Sequence, residues 1–403
     1  MRREKRRGRA MRQPSRGHKV EDLSEVRARR KKQKIRKLVF WAVLLAVLLV
    51  WLIARNSTML ISAGDLVETL RIGTIRGPGF PQDTGIGELY QWENMTGGFV
   101  ALGQENCVFY TDQGVRMRSI QAGYARPAIS AGDTRFVLYN RGGTELRVES
   151  RSKNLYTQSY TGGILLCEMG EDGSLAVVTE DPSYTAQMLV YPSSMEKPLT
   201  WKLTSNEGMP MCLAFAPNEK KLATVTLSAT DGKIISRVYL LDRSKQEKIL
   251  VDTHENGIPL SAQWLGDTLV VAYNNGIVAY QEKKGAVARF DLHGSTLTDF
   301  SMLPNGRMAL LLNNGAASEI VLLDKNMEQT AMWPVEVGRG ITLTKTGVYL
   351  YTDANVICYT LKGDYAWHIS CDLRPQGILS TSHGVLLFQG GTVQQCVDPN
   401  PDK

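Results

Sequence analysis

The chain has 403 residues, 43% hydrophobic and 22% charged, enough apolar material for one large core or two ordinary ones. Its net charge of +7 misleads as an average, because residues 1–37 hold 17 Lys/Arg against 4 Asp/Glu and the rest holds 30 against 36. The bulk is therefore mildly acidic, which argues against a polyanion-binding domain, and no nucleic-acid partner is expected.

The basic tail, residues 1–37, reads as disordered and as a topology signal that also meets anionic lipid headgroups. The run from Leu38 to Ala54 has no polar group over 17 residues, a helical length of roughly 25 Å. Lys37 and Arg55 flank it and extend it by snorkelling, while Trp41 and Trp51 sit near its ends, where indole rings favour headgroups. This predicts a transmembrane helix over 38–54. A cleaved signal peptide fits less well: its basic region would be unusually long, and Ile61-Ser-Ala63 is a poor cleavage site. The excess of positive charge before the run places the N-terminus in the cytoplasm and the C-terminal domain outside, at the cell membrane.

Residues 55–64 read as a linker, residues 65–398 as the outer domain, and 399–403 as a short tail. In the outer domain, apolar runs of four to eight residues alternate with Gly, Asn, Asp and Pro, in units of 37 to 49 residues. That period predicts an all-β propeller of four-stranded blades, with units near 85–122, 123–162, 163–208, 209–257, 258–294, 295–338 and 339–377. The remainder, 378–398, holds about three strands. The stretch 65–72 (Asp-Leu-Val-Glu-Thr-Leu-Arg-Ile) is expected to be the strand that completes them. Eight blades result, with seven as the alternative.

The pattern strand–turn–strand–(Lys/Asn)-Gly–Trp resembles degenerate quinoprotein-type (PQQ-like) repeats. Trp201, Trp333 and Trp367 stand where such repeats carry tryptophan, although the repeat's Thr-Gly turn is missing. The layout of basic tail, single helix and degenerate propeller also resembles a bacterial domain-of-unknown-function family of membrane-anchored propellers. That resemblance implies location and fold, and no activity. PQQ would need a calcium site and clamping residues that cannot be assigned, so no cofactor is expected.

Catalytic motifs are missing from the sequence: it has no G-x-S-x-G, no P-loop and no dinucleotide fingerprint. Outside the tail, His254, His293, His368 and His383 stand singly; His254, His293 and His383 read as solvated turn or rim residues. Asp112, Asp242, Asp324 and Asp353 end strands and read as turn formers. Six cysteines include no C-x-x-C; Cys358 and Cys371 flank one hairpin turn and are the candidate bridge, with buried thiols as the commoner state. Tyr124, Tyr160 and Tyr184 are candidates for a binding rim. The sequence thus predicts a binding or scaffold module for an envelope protein or glycan. The alternative is a propeller enzyme, a quinoprotein-like dehydrogenase or a glycan-active hydrolase or lyase, with a site in the central funnel.

Overall fold

The computed structural model describes residues 34, 36–44, 57–315 and 317–399. Its contacts divide the chain into two units, Met1–Leu60 and Ile61–Lys403. In the first unit, residues 36–44 are helical, with Leu38 and Trp41 exposed. Trp51, Ala54 and Arg55 lie outside the described residues, as does most of the basic tail. Among the described residues no helix is long and apolar enough to cross a membrane.

The second unit is built from eight antiparallel four-stranded sheets. Seven are continuous in sequence: residues 89–121, 127–159, 164–203, 209–255, 259–291, 296–335 and 340–370, blades 1 to 7. The middle strands of each blade are covered on both sides by neighbouring blades. They therefore read as unbroken apolar runs, such as Phe99-Val-Ala-Leu102 and Leu175-Ala-Val-Val178, all fully buried. Outer strands have one wet side and alternate, as Asn154–Ser159 does.

Blade 8 is composite. Its first three strands are Pro375–Thr381, Gly384–Gln389 and Thr392–Cys396, and its outer strand is Gln82–Asp83. Gln82 pairs with Val393 and Asp83 with Thr392, and the Thr84 amide donates to the Gly391 carbonyl at 2.8 Å. The eight-bladed ring and its composite closure match the sequence expectation; the segment that closes it does not. Residues 65–72 are not a strand but part of the helix Ser57–Thr74, which also replaces most of the expected linker. The physical reason is spacing. Asp65, Glu68, Thr69 and Ile72 recur at i, i+3, i+4 and i+7, which gathers them on one helical side and would scatter them across a strand.

That side docks on the ring, at the face where the innermost strands end, called here the near face. Asp65 Oδ2 meets Arg135 Nη2 at 2.8 Å and Nε at 3.1 Å. Arg135 also donates to the Ser193 carbonyl at 2.7 Å, so it ties the helix to blades 2 and 3. Arg151 is wholly buried and donates to the carbonyl of Thr96 (2.8 Å), to Thr69 Oγ1 (2.7 Å) and to the carbonyl of Asp65 (3.1 Å). Glu68 stands 3.5 Å from the same guanidinium. Ile72 enters the core of blades 1 and 2.

Replacing Arg151 by Ala takes the ion-pair partner from Glu68 and the donor from the Thr96 and Asp65 carbonyls, so unfolding free energy should fall by about 1.5–3 kcal/mol. Urea denaturation of the purified protein measures this, and an unchanged midpoint would contradict the buried clamp.

Candidate functional site

The innermost strands surround the central channel and begin at the opposite, far face. In six of the eight blades their ladder slips by one residue near that beginning. The slips leave Tyr90, Leu165, Met211, Leu260, Thr298 and Gln376 without a ladder partner. Such bulges re-aim a side chain at the rim of a barrel or ring. Tyr90, Met211 and Leu260 are 41%, 40% and 51% exposed, unusual values for large apolar groups on the innermost strands of a folded ring. Leu165, Met211 and Leu260 belong to consecutive blades and form an apolar arc of the mouth. Thr298 and Gln376 complete the collar with polar groups.

Further along the same strands the lining turns polar. Gln91 Oε1 accepts from the Ile129 amide at 2.9 Å and Glu93 Oε2 from the Ala131 amide at 2.6 Å. Asp299 Oδ2 accepts from the Ile341 amide at 2.8 Å and Ser301 Oγ from the Leu343 amide at 3.0 Å. Ser130 Oγ accepts from the Met169 amide at 2.9 Å and donates to Glu168 Oε2 at 3.2 Å. Each bond joins the innermost strands of neighbouring blades, where no ladder runs. The channel carboxylates thus satisfy backbone donors that a gap between sheets leaves open.

Their acidity reflects burial. Desolvation pushes Glu93 up to about 7, with the Ala131 amide pulling the other way. Glu168 rises to about 8, first through burial and then through the nearby Glu93. Asp299 is also raised by burial. The unfolded chain releases these protons near the ordinary 4.5, whereas the native state holds them longer. Native protein then binds more protons between the two values, so stability falls as pH rises from about 5 to about 8.

The three signature tryptophans are structural seams. Trp201 packs edge-on against Tyr239 of blade 4 at 5.5 Å, and Trp333 lies 5.9 Å from Tyr359 of blade 7. Trp367 joins the apolar cluster of blades 7 and 8 and meets Tyr349 at 5.6 Å. Tyr124 and Tyr160 are partly buried against blade cores, and Tyr184 is exposed beneath Lys202.

Two expectations are corrected. His254 is not a solvated rim residue but is buried, stacked 4.2 Å from Tyr273, because its outer strand runs on into the seam with blade 5. Cys358 and Cys371 do not face each other: Cys358 pairs with Trp367, and Cys371 follows Ser370, the partner of Asn355. The register sets the two thiols roughly 13 Å apart along the strand, beyond the reach of a bridge. His293 and His383 are exposed, and Asp242 and Asp324 accept amides of their own turns, as expected. Asp353 instead pairs with Arg339 and Arg374. Among the described residues, no three His, Cys, Asp or Glu side chains gather as a metal ion would need.

The fold and the mouth define an eight-bladed β-propeller with a bulged channel collar. Residues 82–395 match the model of a family of unknown function, DUF5711, and the chain belongs to that family. The match opens on the closing strand and ends in the strand it pairs with. No curated protein matches the sequence. Among solved structures, the chain is similar to BamB from Moraxella catarrhalis, with 14% identity and a TM-score of 0.53 over 80% of this chain and 97% of that one. Sqt1 from Saccharomyces cerevisiae gives 10% and 0.55, over 80% and 100%. Sqt1 from Chaetomium thermophilum gives 11% and 0.51, over 77% and 97%. At such identities the likeness is one of fold.

Glu168→Gln removes one buried titrating carboxyl, so the variant should gain about 1–2 kcal/mol over wild type near pH 9 and little near pH 5. Thermal melts at the two pH values test this; parallel curves would contradict the buried-proton assignment.

Proposed function

We propose that this protein is a membrane-anchored propeller that holds a protein segment at its far-face channel mouth, on the outer side of the cell membrane. The observation that carries this reading is the bulged collar. Six blades each carry one residue without a ladder partner where the innermost strand begins at the far face, and three of those are large, apolar and exposed. Exposed aromatic and aliphatic groups around a concavity are the usual anchors of a protein interface. The fold can carry a peptide terminus: the Chaetomium thermophilum Sqt1 structure is of that propeller bound to the N-terminus of the ribosomal protein L10.

The anchor in this reading is the apolar run 38–54, with Lys37 and Arg55 at its borders and the basic tail against anionic headgroups on the cytoplasmic side. No cofactor and no nucleic acid enter it. Retention in membranes washed with alkaline carbonate, with the propeller open to added protease in cells stripped of their wall, is the expected result. Release by carbonate would end the anchoring claim.

Met211→Asp with Leu260→Asp places two charges in the collar without touching a blade core. Capture of the cross-linked envelope partner by the full chain should fall at least tenfold, about 1.4 kcal/mol, with an unchanged melting temperature. Undiminished capture would remove the collar from the interface.

One observation favours a second reading. Glu168, on an innermost strand, is pushed up to about 8 by burial and by the nearby Glu93, so it stays protonated at neutral pH, as the general acid of a glycan-active enzyme must. Turnover of cell-wall glycan that disappears in Glu168→Gln would establish it.

A further inference from the structure

The two faces of the ring differ in chemistry. Turns joining first to second and third to fourth strands lie on the near face, where the helix docks. Six blades place an exposed lysine in such a turn: Lys153, Lys197, Lys245, Lys283, Lys325 and Lys362. Acidic residues such as Glu171, Glu196, Asp267 and Asp364 stand among them in similar number, so this face is near neutral while the far face is acidic. On the far face the loops carry Glu105, Glu180, Asp231, Asp353 and Asp372, and their bases are mainly arginines. Two of those, Arg339 and Arg374, are spent on Asp353.

The docked helix adds an apolar element to the near face. Asp65, Glu68, Thr69 and Ile72 are turned to the ring, which leaves Leu66, Val67 and Leu70 on the opposite side. They are 61%, 66% and 64% exposed. Arg71 and Arg76 are exposed beside them. A stripe of leucine and valine flanked by arginine is the pattern of a helix lying in a lipid interface.

We propose that the near face sits on the headgroup layer of an anionic bilayer, with Leu66, Val67 and Leu70 in the interface and the turn lysines over the headgroups. The occupant is argued from chain continuity and charge. The wholly apolar run ends at Ala54, only a few residues before Ser57 begins this helix, so the stripe emerges beside the bilayer. The lysines then meet negative headgroups, whose surface potential attracts cations within a Debye length. The buried clamp of Arg135 and Arg151 makes the helix a strut and not a tether, because it fixes which face is turned down. The far-face collar is thereby presented outward. This inference rests on the proposed anchoring.

The test uses the full chain reconstituted in vesicles of equal parts phosphatidylglycerol and phosphatidylcholine. Val67 is replaced by the photo-cross-linker p-benzoylphenylalanine, and Lys233, at the far-face hairpin tip, by the same residue as a control. Flotation of the protein with the vesicles and a lipid adduct at position 67 but not at 233 are expected. Acetylation of Lys245, Lys283 and Lys325 should be several-fold slower in these vesicles than in detergent, with Lys233 unchanged in wild type. Protein that does not float overturns the anchoring and this inference with it. Protein that floats without a lipid adduct at 67, or with one at twice the chain mass from a second copy, overturns this inference alone. Equal acetylation of all four lysines does the same.

Discussion

A ring of sheets is stable only if its last sheet is completed and meets its first, and here the last sheet is completed by two residues from the start of the domain. Gln82 and Asp83 pair with Val393 and Thr392 and are, among the described residues, the only strand that the beginning of the domain lends to its end. So short a ladder needs support, and blade 1 supplies it across the seam. Trp92 Nε1 donates to the Ile378 carbonyl at 3.0 Å and Asn94 Nδ2 to the Ser380 carbonyl at 2.7 Å. The Trp92 ring lies so close over Gly377 that a Cβ there would stand 2.6 Å from it. Phe99 and Phe388 meet edge-on at 5.5 Å inside the same seam. Without this closure two strand edges would face water, and the channel would have no wall.

Closure also explains the chemistry of the channel. Sheets that meet at their innermost strands have no ladder between them there, so their edge amides need other acceptors. Gln91, Glu93, Ser130, Asp299 and Ser301 are those acceptors. Acidic residues in the middle of the molecule are thus first a structural device, and their raised proton affinity is the cost of being placed where water is scarce. The bulges above them leave residues with no ladder to satisfy, which is why the collar is free to serve as a surface.

Much of the ring was legible in the chain. The seven continuous blades fall within the units read from apolar runs and turn residues, because middle strands such as Phe99-Val-Ala-Leu102 are buried on both sides and admit no polar group. The eighth, composite blade was legible from the missing strand at the end. The donor of that strand was not: a two-residue strand leaves no pattern, whereas 65–72 is apolar enough to be mistaken for one. The bulged collar was equally hidden, since Leu89-Tyr-Gln and Pro259-Leu-Ser look like any strand start, and a bulge exists only relative to the strand beside it. His254 and the pair Cys358 and Cys371 failed for the same reason, because burial and register are properties of partners.

By itself the sequence determined what depends on local pattern: the apolar run, the basic tail, the β class and the repeat length, with the blade number narrowed to eight or seven. Each follows from the hydrophobic effect acting on neighbours in the chain, and periodicity records it. Tertiary structure alone decided which segment closes the ring, which arginines clamp the helix, which carboxylates bind across blades and which residues the bulges leave without a ladder partner at the mouth. These depend on groups far apart in sequence, as Arg151 and Asp65 are, and Trp92 and Ile378. Only their meeting in space gives each a partner.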